Sequence, residues 1–202
     1  MFDAPDLSNA KVCEIADYVR SEVVGDNPVL DFNVEQLAED LGFNLRPIEG
    51  LRKVYGLEAM PIFSDHLILI DEAAYDDPFN WYGRLRFTVM HEIGHYFLHQ
   101  EYLENIKLNS IAEWRDYVLA VEDASKPLEE QANEFAGRFL VPPDRLKLII
   151  QQERAVLRKK DPNMEYFSWR TAIYSRVARI FNVSPTVVRI RVSRERIKLT
   201  RI

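Results

Sequence analysis

His91-Glu92-Ile93-Gly94-His95 is the stretch on which the reading of this chain turns. Two histidines four apart on a helix stand one turn apart on the same face. Their imidazoles can therefore share one tetrahedral metal ion, most often zinc. Glu92, one step round from His91, can reach a water on that ion and take its proton.

The residues on either side support an internal site. At 100° per residue, Arg84, Thr88, Glu92, His95 and His99 fall within about 100° of His91. Phe87, Val89, Met90, Ile93, Tyr96, Phe97 and Leu98 occupy most of the remaining circumference. A helix that is apolar nearly all round is buried, so its single polar stripe is expected to line a cleft. The pattern is the H-E-x-x-H signature of zinc peptidases. The alternative, a helix carrying two surface histidines, would show its apolar residues on one stripe and its polar residues on the rest.

A catalytic zinc keeps three protein ligands and one open position. The extended motif with a third histidine on the same helix fails, because position 98 is Leu98 and position 101 is Glu101. His99 lies on the polar stripe two turns beyond His91, which suits a supporting role better than ligation. The segment from Leu128 to Ala136 offers carboxylates instead. Leu128, Ala132, Phe135, Ala136, Phe139 and Leu140 form its apolar arc. Glu129 falls inside that arc, at about 100° from Leu128, while Glu130 and Glu134 point outward. A carboxylate on an apolar face needs a cation or strong donors. Glu129 is the candidate third ligand and Glu130 its competitor. Asn133, four residues on, can hold a ligand by hydrogen bond. His66 and Tyr96 are weaker candidates for contact with a substrate.

Composition bounds the rest. The 202 residues are 47% hydrophobic, enough for one domain with a core and a small appendage. No apolar run is long enough for a transmembrane helix. The acidic N-terminus, Met1-Phe2-Asp3-Ala4-Pro5-Asp6, lacks a signal-peptide core, so a cytoplasmic protein is expected. The single cysteine, Cys13, excludes an internal disulfide and a multi-cysteine zinc site; among Val12, Ile15 and Ala16 it reads as a small core residue. Net charge is −6, unevenly spread. Residues 170–202 hold nine Arg or Lys against Glu195 alone, so a basic tail follows an acidic body. The expected division is residues 1–163 and 164–202.

Along the chain, residues 8–24 read as a helix capped by Ser8 and followed by Gly25. Asn33 to Gln36 reads as a capping box opening a second helix. Phe43 to Ile48, Val54 to Phe63 and Leu67 to Ile70 are strand candidates. Asp77-Pro78 is an expected start for the motif helix, which runs to about His99. Residues 100–126 are polar, with a helical patch from Ile111 to Val121, and suit a lid or insertion. Helices are expected from Pro127 to Leu140, over 144–160, over 171–180 and over 185–196. The order of elements indicates an α+β fold.

At these residues the chain resembles a known family. Arg86-Phe-Thr-Val-Met-His-Glu-Ile-Gly-His-Tyr-Phe-Leu-His99 and Glu129-Glu-Gln-Ala-Asn-Glu-Phe-Ala-Gly-Arg-Phe-Leu-Val-Pro142 are similar to the ImmA/IrrE metallo-endopeptidases. The resemblance covers roughly residues 30–145. It implies a gluzincin-like zinc peptidase core of several helices and a small antiparallel sheet. It also implies His91, His95 and Glu129 as zinc ligands and Glu92 as catalytic base. Members of the family cut cytosolic helix-turn-helix repressors, so a repressor is the implied substrate.

The stretch from Ile173 to Val192 also resembles a helix-turn-helix, with Val177, Ala178, Phe181, Val183 and Val188 as its core. Ser184 would cap its second helix, with Pro185 at the first helical position. Arg189, Arg191, Arg194 and Arg196 can meet DNA phosphates; the other reading docks them on the acidic body. For substrate, a strand near Leu67–Ile70 is a candidate to pair with an extended peptide. The rivals to a peptidase are a non-catalytic, zinc-stabilised regulator and a toxin–antitoxin component, either of them binding a repressor or DNA.

Overall fold

The computed structural model describes residues 5–25, 32–74, 81–105, 111–120 and 122–200. Among these residues it is mostly helical with one small sheet, an α+β architecture. The Asp77-Pro78 start of the motif helix lies outside the described residues.

Helix α1, Asn9–Val24, begins where the Ser8 side chain accepts from the Lys11 amide. Its buried face is Val12, Ala16 and Val19, spaced for one helical stripe. Asn33 caps α2, Val34–Asp40, by accepting from the amides of Glu35 and Gln36. The capping box is only half made: the Gln36 amide donates to Asp40 instead of reaching back.

The sheet holds three strands in the order β1-β3-β2. They are β1, Asn44–Ile48; β2, Ala59–Ile62; and β3, Leu67–Asp71. β1 lies parallel to β3 and β2 lies antiparallel to it, so the sheet is mixed and not antiparallel throughout. The expected strand from Val54 to Phe63 is also corrected. Its first part belongs to a short helix, α3, Leu51–Tyr55, followed by β2. Gly50 and Gly56, both at positive φ, close the two ends of α3. Asp71, at the end of β3, anchors the start of α3 by accepting from the Arg52 amide at 2.6 Å. With α3 between them, β1 and β2 end on opposite sides of β3. β3 is buried along its whole length. Leu67 and Leu69 pack with Leu51 and Met60, while Ile68 and Ile70 face the main core. Coverage on both faces explains an apolar run without alternation.

The motif helix is α4, Trp81–Glu104, a turn longer than expected. It is followed by α5, Ile111–Ala120, and α6, Glu122–Leu140. Pro127 does not start α6 but sits inside it. Its ring fixes a helical φ and forfeits one backbone hydrogen bond, which neighbouring turns tolerate. α7, Pro143–Lys160, starts at the Pro142-Pro143 pair. α8, Tyr166–Phe181, is capped by the Glu165 side chain, and α9, Pro185–Arg194, by Ser184.

One buried cluster runs from Val12 of α1 through Val89 and Ile93 of α4 and Phe135 of α6 to Ile173, Val177, Phe181 and Val192 of the tail. The tail thus closes the same core that carries the motif helix. Glu134 is a further correction. It is buried, not outward, because α9 covers that side of α6. The guanidinium of Arg191, itself buried, donates to Glu134 and Glu195. Arg191 is therefore taken out of the set that can meet phosphates, while Arg189, Arg194 and Arg196 are exposed.

Candidate metal centre

Two helices build the centre. α4 presents His91 and His95, and α6 crosses it closely enough to bring Glu129 against both. Gly94 permits this approach: a Cβ there would stand 3.0 Å from the Phe135 ring of α6. Glu129 Oε2 lies 3.1 Å from His91 Nε2, and Oε1 lies 3.4 Å from His95 Nε2. The two Nε2 atoms are 3.0 Å apart. Ligands held tetrahedrally at ordinary zinc distances stand roughly 3.3 Å from one another. The three side chains thus converge at the spacing one ion needs, and they are the donor set that zinc prefers. Glu130 is exposed and does not join the group.

The surroundings orient each donor. His91 Nδ1 lies 3.2 Å from Asn133 Oδ1, so the asparagine sits where it can hold the ring. His99 is no ligand in this geometry. Its Nδ1 faces His95 Nδ1 at 3.0 Å and its Nε2 faces Gln131 Oε1 at 2.8 Å. Gln131 did not emerge from sequence reasoning. The only signal was its place two residues from Glu129 on α6, four residues short of Phe135 on the buried side.

Electrostatics separates the acids. Burial pushes Glu92 above the usual carboxylate range, and the His91 and His95 charges only partly oppose this. No hydrogen bond engages the Glu92 carboxylate among the described residues. Glu129 behaves in the opposite way. Burial would raise it, but the hydrogen bonds from His91 and His95 hold it well below the usual range. For His91, burial opposes the charged form; the Glu129 hydrogen bond and the Glu92 charge outweigh it and raise the value. Burial pushes His99 down to about 4, leaving a neutral ring.

The remaining candidates go elsewhere. Tyr96 and His66 pack against each other and against Phe43, with Phe63 alongside Tyr96. They form an aromatic cluster at the sheet. β3, Leu67–Asp71, is flanked on both sides, so among the described residues an extended peptide near it would pair with the edge strands β1 or β2 and not with β3 itself. A cleft of about 1260 Å³ lies between α4, α6 and the tail, lined by Arg84, Thr88 and Asn133 and by Arg179, Ile190 and Arg194; Asn133 is its link to the centre, and His91, Glu92, His95 and Glu129 do not line it.

An H-E-x-x-H helix crossed by a glutamate-bearing helix, behind a small sheet, defines a metallopeptidase type of centre. Residues 82–193 match the family Peptidase_M78, described as the IrrE N-terminal-like domain. The match spans more than half of the chain, which belongs to this family. It crosses the expected division at residue 163 and takes in most of the tail. No curated protein matches the chain. Membership carries metallopeptidase activity, on a divalent metal, as the general chemistry.

Proposed function

We propose that the chain is a zinc-dependent endopeptidase that cuts a cytosolic helix-turn-helix repressor. The observation that carries the peptidase part is the convergence of His91, His95 and Glu129 beside a buried Glu92 with free lone pairs. The repressor as substrate rests on the resemblance of the two motifs to the ImmA/IrrE metallo-endopeptidases. A metal bound by the three side chains supplies Lewis-acid polarisation of the scissile carbonyl and an acidified water. Glu92 takes the proton of the attacking water and hands it to the leaving amine. Its burial suits the second transfer, because a raised pKa makes the protonated carboxyl easier to form. Asn133 and His99 lie against the other ring nitrogens of His91 and His95 and fix the two rings.

The cleft that Asn133 lines has room for several substrate residues, and the exposed Arg189 and Arg196 offer contacts to the repressor or to the DNA it sits on, while Arg194 lies against Glu134. The test is incubation of the purified chain with a candidate repressor, with zinc and with chelator. A cut that needs zinc and disappears in Glu92→Gln supports the proposal. Binding of the repressor without any cut would favour the non-catalytic regulator.

A further inference from the structure

Two backbone carbonyls near the N-terminus set the direction of a hydrogen-bond relay that ends at the metal centre. The Gln131 side chain, almost fully buried, lies with Nε2 3.3 Å from Pro5 O and 3.4 Å from Leu7 O. A carbonyl oxygen can only accept. The amide nitrogen must therefore face Pro5 and Leu7, which turns Gln131 Oε1 toward His99 Nε2 at 2.8 Å. That oxygen also only accepts, so His99 carries a proton on Nε2. The His99 ring is 1% exposed and no carboxylate accepts from it, and burial without an ionic partner disfavours a charged imidazole, so Nδ1 is a lone pair. His95 Nδ1, 3.0 Å away, must then be the donor. With Nδ1 engaged by His99, Nε2, the atom that faces His91 and Glu129, is the His95 nitrogen left for a metal.

We infer that His99 and Gln131 are positioning residues that hold His95 in its metal-binding tautomer through a relay anchored on the carbonyls of Pro5 and Leu7. The inference rests on the reading of His91, His95 and Glu129 as metal ligands. Which nitrogen of a histidine is free for a metal is set by the bond that the other nitrogen makes. Here His95 donates to a neutral imidazole instead of a carboxylate. The N-terminal segment thereby becomes part of the support of the centre, although it touches no ligand.

The test is nitrogen NMR of the imidazole rings in the full chain, zinc-loaded and after dialysis against chelator, with zinc affinity measured by competition. The expected result is His99 protonated at Nε2 and His95 at Nδ1 in both states. His99→Leu and Gln131→Met should each lower zinc affinity about tenfold to a hundredfold. His99→Gln, whose oxygen can still accept from His95, should recover most of it. Melting temperatures separate a local effect from a loss of fold. His95 without a proton at Nδ1 in the zinc-loaded chain would overturn the inference. So would unchanged zinc affinity in a folded Gln131→Met variant. Absence of zinc binding alongside the expected tautomers would overturn the metal reading and leave the relay standing.

Discussion

At the residue scale, the account depends on carboxylates of the same type in different settings. Glu92→Gln keeps the shape of the side chain but cannot take a proton. Metal content should stay at the wild-type level while the cleavage rate falls on the order of a thousandfold; a variant that still cuts within tenfold of wild type would remove Glu92 from the base role. Cys13 gives a second expectation. Burial first, then the Glu134 charge, raises its thiol from 9.0 to about 11. Alkylation requires the thiolate. Reaction with iodoacetamide at pH 8 should therefore be about a hundredfold slower than for an unperturbed thiol. Because the folded value is raised, the stabilisation it reflects is full below pH 9.0 and is lost as pH rises through about 11. That His91 and His95 would stand together on one face of α4 was legible from spacing, and that Glu129 would turn toward them was legible from its place on an apolar arc. Gln131 was not, because its role is set by Pro5 and Leu7, more than a hundred residues away. Glu134 was misplaced for a related reason: a helical wheel shows one buried face and cannot announce that α9 covers another.

At the element scale, the spacing between α4 and α6 decides whether Glu129 reaches the histidines. Gly94 faces Phe135 at a distance where a Cβ already crowds the ring. Gly94→Val should push the helices apart, lower zinc affinity at least tenfold, and cost about 1–3 kcal/mol of stability by overpacking. Denaturant unfolding and zinc titration together check this, and unchanged affinity would mean that the helix spacing does not govern the site. The α6–α9 contact depends on the buried pair of Glu134 and Arg191. Arg191→Leu leaves Glu134 buried without its main partner and should cost about 3–5 kcal/mol. Glu134→Leu with Arg191→Leu should recover most of that loss, and no recovery would place the energy elsewhere in the network. Helices and the central strand were legible from period and caps, as with Ser8, Asn33 and Ser184. The order and direction of the strands were not. They follow from α3, a helix of five residues between two glycines, too short to give a periodic signal.

At the scale of the whole molecule, the basic tail is structural before it is anything else. Trp169, Ile173, Val177 and Phe181 are buried in the same cluster as Val89 and Phe135. Removing residues 165–202 should therefore abolish cooperative unfolding as well as activity on any substrate, short peptides included. A role in docking is tested instead by reversing exposed charges. Arg189→Glu with Arg196→Glu should weaken cleavage of a full-length repressor at low salt while sparing a short peptide; equal rates on both substrates would retire the docking role. The uneven charge of the chain was visible in composition, but its meaning was not, because composition cannot tell a buried Arg191 from an exposed Arg189. The central claim is that His91, His95 and Glu129 together hold one zinc ion. Anomalous diffraction at the zinc edge from crystals of the zinc-loaded chain tests it most directly. The account predicts one peak within about 2.0–2.2 Å of His91 Nε2, His95 Nε2 and a Glu129 oxygen. A peak bound by Glu130 in place of Glu129, or no peak between α4 and α6, would contradict it.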